Sequence, residues 1–132
     1  MAGGGGDYAR KRIIYQDAAG AYNVATGDSG TIHLLPALTG AFASDNYQLQ
    51  KIHIEVTTTG AQTWSFQDSA GTPVPLIPLV STSSVAHFDF DFGPAGIPLT
   101  AGKALDLVIS GAGPVGWISW EAYIKPAAVR AA

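Results

Sequence analysis

The chain has 132 residues, enough for one domain with one core, and 47% of them are apolar, which excludes an intrinsically disordered composition. Charged residues make up 13%, about half the usual ~25%, and there is no cysteine, which excludes disulfides and cysteine-based zinc sites. No apolar run approaches the ~20 residues of a membrane helix, and Met1–Asp7 contains no hydrophobic segment that would serve as a secretory signal, so synthesis in a cytoplasm is expected.

A surface this poor in charge points to a chain that covers part of itself with neighbours. The charge is also unevenly spread. Arg10, Lys11 and Arg12 lie in the N-terminal stretch, and Lys125 and Arg130 lie in the C-terminal one. Residues 13–124 carry nine acidic groups against Lys51 and Lys103, a net of −7. An acidic body with basic ends suits ends that reach over acidic surfaces of neighbouring subunits. These five basic residues are therefore the candidate partner-binding residues. Solvated tails that carry charge by default are the plain alternative.

In chain order, residues 1–12 read as a flexible arm, because four consecutive glycines cost much backbone entropy to order. Arg12–Tyr15 and Ala21–Val24 flank Gln16-Asp17-Ala18-Ala19-Gly20, a hairpin signal with Gly20 expected in the left-handed conformation. Thr31–Leu35 predicts a strand stopped by Pro36, and Gly40–Asn46 predicts a loop. The clearest strand is Tyr47–Thr58, where Ile52, Ile54 and Val56 alternate with Lys51, His53 and Glu55. Leu49 is out of step with that set, and a bulge near Gln50 explains the change of phase. Thr63–Gln67 puts Trp64 and Phe66 on one face, and Asp68-Ser69-Ala70-Gly71 is a turn that echoes the chemistry of residues 17–20.

Pro73, Pro75 and Pro78 confine Val74–Val80 to an edge strand or extended loop. Val85–Phe92 alternates Phe88, Phe90 and Phe92 with His87, Asp89 and Asp91. Lys103–Ser110 places Leu105, Leu107 and Ile109 on one face. Trp117–Ile124 is nearly apolar and is expected to be covered on both faces. Residues 125–132 form a tail, leaving 13–124 as the domain. Seven or eight strands and no 3.6-residue period predict an all-β, antiparallel β-sandwich, with a jelly roll the best match to the strand count.

The apparent catalytic motifs read as turns. Gly27-Asp28-Ser29-Gly30 resembles the nucleophile motif of chymotrypsin-like proteases, but no histidine precedes Ser29 and the chain is too short for two barrels. Gly111-Ala112-Gly113-Pro114-Val115-Gly116 fits G-x-G-x-x-G, yet a strand follows where a dinucleotide site needs a helix. His87, Asp89 and Asp91 offer cation ligands on one face, and a solvent-facing strip is the plainer reading. His33 and His53 are isolated strand histidines. Trp64, Trp117, Trp120 and Tyr123 could stack on sugar rings, although Trp117 and Trp120 point to opposite faces and core packing accounts for such residues. Glu121 shares a face with Trp117 and Ser119 and reads as a buried or interface acid. Nucleic-acid binding is disfavoured by the acidic body. No enzyme, metal or cofactor is expected.

Gln62–Asp68, Leu99–Leu107 and Gly116–Glu121, within the half spanning 62–124, resemble the small cysteine-free β-sandwiches found among accessory virion proteins of tailed bacteriophages. The head decoration, or cement, proteins are the nearest group. The resemblance implies a homotrimer that binds the major capsid protein and reinforces the shell, located in the virion after synthesis in the host cytoplasm. It implies no nucleic-acid or membrane partner and transfers no functional residue. A tail or baseplate component, and a carbohydrate-binding module using Trp64 or Trp117, are the alternatives.

Overall fold

The computed structural model describes residues 16–76 and 80–127. The strands are β1 (Gln16–Asp17), β2 (Gly20–Val24), β3 (Gly30–Leu35), β4 (Asn46–Thr58), β5 (Thr63–Asp68), β6 (Val80–Ser81), β7 (Ala86–Asp91), β8 (Ile97–Pro98), β9 (Leu105–Ile109) and β10 (Val115–Lys125). They form an antiparallel β-sandwich, as the alternation predicts. Sheet A has the order β1/β2-β10-β4-β7/β8, and sheet B has the order β3-β9-β5-β6. The Gly40–Asn46 loop contains a short 3-10 turn at Gly40–Phe42.

The core lies between the sheets. Leu49, Ile52, Ile54 and Val56 of β4 lie beside Ile118, Trp120 and Ala122 of β10 on the inner side of sheet A, and all are buried. Trp64 and Phe66 of β5, with Leu105, Leu107 and Ile109 of β9, close it from sheet B. Phe88, Phe90 and Phe92 are only partly buried because β7 is an edge strand, so they pack against the rim of the core. Full burial of a large apolar side chain contributes ~1.5–3 kcal/mol, so the two central strands of each sheet dominate stability.

The phase change in β4 is a bulge. Glu121 pairs with Lys51 and Ala122 with Leu49, which leaves Gln50 as the extra residue. The bulge brings Leu49 to the core side along with Ile52, Ile54 and Val56.

Two expectations are corrected. Gln16–Gly20 does not turn. β1 and β2 both pair with β10 in a single register, Gln16 with Ile124 through to Val24 with Gly116, and Ala18 N–H donates to the Ala122 carbonyl between them. Gly20 does not adopt a positive φ. Its role is space, because a Cβ there would lie 2.6 Å from the Trp120 ring. Trp120 in turn donates Nε1–H to the Ala18 carbonyl at 2.9 Å, so the small residues 18–20 form the seat of this indole. The Arg12–Tyr15 half of the expected hairpin lies outside the described residues. At both Asp17 and Asp68 the carboxylate accepts from the backbone two residues on, but only Gly71 follows with a positive φ and reverses the chain. The second correction concerns β10. Its inner face is buried, whereas Trp117 is 39% exposed and Glu121 is exposed on the outer face.

The proline segment behaves as predicted where it is described. Residues 72–76 are extended loop with an isolated bridge from Gln67 to Pro73, and Val80–Ser81 pairs with β5.

Candidate functional site

The alternation that buries one side of sheet A arrays its outer face in rows set by register. The first row runs Glu121–Lys51–Asp91, the second Ala21–Ser119–His53–Asp89, and the third Asn23–Trp117–Glu55–His87. Four carboxylates thus share this face with Lys51 and two histidines. The small Ser119 leaves a trough of about 510 Å³ in the first two rows, lined by Lys51, His53, Asp89, Asp91, Ser119 and Glu121. A smaller recess of about 280 Å³ continues past Gln50 and Pro94 toward the end of the sheet.

His53 is the centre of the face. Nδ1 contacts the Asp89 carboxylate across the β4–β7 ladder, and Nε2 contacts the Glu55 carboxylate at 2.9 Å. With both ring nitrogens on carboxylates, the doubly protonated imidazolium satisfies every contact. The Asp89 hydrogen bond raises His53 above its usual 6.5, against the opposing effect of burial and with further help from Glu55. The same bond lowers Asp89 below the usual 3.8. The Trp117 ring lies tilted against His53 at a centroid distance of 4.9 Å, and the His87 ring stacks with His53 at 6.4 Å. An NMR titration of the His53 ring protons should give a midpoint above 6.5, and Asp89→Asn should move it downward. A midpoint unmoved by that substitution would show that the contact does not hold the proton.

His87, Asp89 and Asp91 lie together on the exposed outer face, as the alternation in β7 predicts. Among the described residues no group of three or more His, Asp or Glu is arranged to hold a metal ion. The reading of His53 as isolated is corrected by its two carboxylate partners. Glu55 was legible in the sequence, two residues on and therefore on the same face. Asp89 was not, because its position opposite His53 depends on the β4–β7 register. His33 is not isolated either, since its Nδ1 contacts the carboxylate of Asp106, which is buried beneath it on sheet B. Of the tryptophans, Trp64 and Trp120 are in the core and Trp117 is not. Tyr123 donates to the Ala95 carbonyl at 2.9 Å on the rim. Glu121 is an exposed wall of the trough rather than a buried acid.

Of the basic candidates, Lys125 is described and ends β10 exposed. Beyond it Ala127 donates to Asp45 Oδ1 at 2.9 Å, which ties the chain past Lys125 to the β4 end of the sheet. Arg10, Lys11, Arg12 and Arg130 lie outside the described residues. The Gly27–Gly30 stretch is the turn between β2 and β3, where Asp28 Oδ2 accepts from the Tyr22 hydroxyl at 2.8 Å and Ala25 N–H at 2.9 Å. Gly111–Gly116 leads into strand β10.

The sheet edges form a second candidate surface. On one side of the sandwich the edge strands are β7, with Asp89 and Asp91, and β6, flanked by the proline segment. Charge and proline both discourage strand addition. On the other side the edges are β2 (Gly20-Ala21-Tyr22-Asn23-Val24) and β3 (Gly30-Thr31-Ile32-His33-Leu34-Leu35). Neither contains proline, lysine, arginine or a carboxylate. Alternate residues along such an edge turn backbone N–H and C=O outward. Among the described residues no strand pairs with the outer side of β2 or β3.

No family model, curated protein or solved structure matches this chain.

Proposed function

We propose that this chain is a structural virion subunit, a decoration or cement protein that oligomerises and binds the assembled head of a tailed bacteriophage. The observation that carries the reading is the winding of the sandwich. The ladders nest: β5 pairs with β6, β4 with β7, β3 with β9, and β1/β2 with β10. The chain is thus a long antiparallel ribbon, folded at β5–β6 and rolled into two sheets. We read this order as a jelly roll, an architecture used by viral capsid domains and lectins. The uncharged edges β2 and β3 support assembly, since a monomer gains nothing by leaving one side of its sandwich open to strand addition.

Charging the open edge should weaken assembly and spare the fold. Ala21 and Asn23 are exposed, so Ala21→Lys with Asn23→Lys is expected to change thermal stability by no more than ~0.5 kcal/mol per site. The same pair should lower the molar mass seen by light scattering. An unchanged molar mass would clear the β2 edge of any role.

The function itself is tested on particles. Mass spectrometry of virions purified from the phage that carries this gene should find the chain in many copies, and immunogold labelling should place it on heads. Labelled tails would support the tail or baseplate alternative instead. Absence from purified particles would refute both.

A second reading has one observation in its favour. Trp117 is exposed beside Asn23 and Glu55, an aromatic surface with hydrogen-bonding neighbours. That arrangement suits a sugar ring stacked on the indole. Tryptophan emission that glycans change in the native chain, but not in Trp117→Phe, would support it. Emission that glycans leave unchanged would dismiss it.

A further inference from the structure

We infer that the trough on the outer face of sheet A is the docking site for the basic segment Arg10-Lys11-Arg12 of a neighbouring copy. The inference rests on the assembly reading and names the contact that would serve it.

The first argument is charge complementarity. Asp89, Asp91 and Glu121 wall the trough, Glu55 lies in the adjoining row, and Lys51 and His53 are the cations among them. Asp89 and Glu55 are engaged by His53, while Asp91 Oδ1 also accepts the Gly93 N–H of the following turn at 2.8 Å. Asp91 and Glu121 stand on either side of Lys51 in the first row, where the trough continues to the end of the sheet. Arginine and lysine supply several donors each to such carboxylates. Trp117 adds an exposed indole that suits a guanidinium. The three basic residues make up nearly half of the seven in the chain, and the body offers few other cations to compete with them.

The second argument is where the chain enters the described fold. Gln16 pairs with Ile124, whereas the trough lies at the level of Ser119 and Glu121. At Gln16 the N-terminal end of β1 therefore points away from the trough of its own subunit. A neighbouring copy is the acceptor that this direction favours. From Gln16 to Arg10 six residues span up to ~20 Å, enough to cross an interface.

The cysteine-free chain allows a direct test by disulfide trapping between full-length copies. Tagged Ile13→Cys, which keeps the basic triplet, is mixed with untagged Ser119→Cys, and tagged–untagged disulfides are followed on non-reducing gels. Thr31→Cys, on the exposed outer face of sheet B, replaces Ser119→Cys as the reference. The Ser119 pairing should form about tenfold faster than the Thr31 pairing, the gain expected of a held over a chance encounter. About 1 M NaCl, where the Debye length is ~3 Å, should remove the difference. Asp91→Asn with Glu121→Gln in the Ser119→Cys chain should do the same. Equal rates at the two positions, or a difference that neither salt nor neutralisation changes, would overturn the inference. Light scattering on the unmodified chain separates the two failures. An oligomer with equal trapping rates refutes the docking site and leaves assembly standing, whereas a monomer refutes both.

Discussion

Gly116→Ala is expected to destabilise the protein by about 3 kcal/mol or more, a loss of ~10 °C in melting temperature for a domain of this size. Gly116 is buried at the start of β10, where the ladder to β4 slips by a residue. It pairs with Val56 on one side and Val24 on the other. A Cβ there would lie 1.8 Å from the Glu55 carbonyl oxygen and 3.1 Å from the Trp64 ring. The first of these is backbone in the centre of sheet A and cannot move without breaking a ladder. The second is the indole that fills the core. Gly27→Ala is the control, because a Cβ at Gly27 meets nothing within 4 Å. Thermal unfolding followed by circular dichroism should separate the two variants clearly. Equal melting temperatures would mean that the β4–β10 contact is looser than described.

Asp68→Ala is expected to cost on the order of 3 kcal/mol, through loss of a carboxylate that ties the turn after β5 to the loop before β9. Its Oδ1 accepts from Ala70 N–H at 2.9 Å and Thr72 N–H at 3.1 Å, which shapes the turn after β5. Its Oδ2 accepts from Thr100 N–H at 2.9 Å and also from the Thr100 hydroxyl, which anchors the loop before β9. Burial alone would raise this carboxyl, but the hydrogen bonds outweigh it and hold Asp68 below its usual 3.8. A group lowered in the folded state contributes stability above the unfolded value. That contribution is lost as pH falls below about 3.8 and through the lower folded value. The native protein should therefore weaken in that acid window, and Asp68→Asn should show a smaller loss there. Chemical denaturation at several pH values checks this, and identical acid limbs in the two proteins would contradict it.

The sequence carried the fold where one residue type dominated one face. Ile52, Ile54 and Val56 against Lys51, His53 and Glu55 defined β4, and the misplaced Leu49 was enough to locate the bulge at Gln50. The sequence misled where a glycine had two possible uses. Gly20 reads as a turn residue, but its lack of a side chain makes room for Trp120, which is a hundred residues further along. The apolar run of β10 also misled, because Trp117 and Tyr123 look like core until it is known that nothing described covers that face. The site was half legible. Composition exposed the acidic body, and alternation put His53 with Glu55 and Asp89 with Asp91. Joining these pairs across a trough required the register of β4 with β7 and β10, which no local pattern encodes. The Asp68 clamp was hidden for the same reason, since Thr100 is distant in sequence.

A sandwich that assembles as proposed forms a discrete oligomer in solution. Size-exclusion chromatography with static light scattering on the full chain tests this most directly. A discrete oligomer, with a trimer expected, is the predicted result, and it should dissociate when Ala21 and Asn23 are both replaced by lysine. A monomer at every concentration measured would contradict the account.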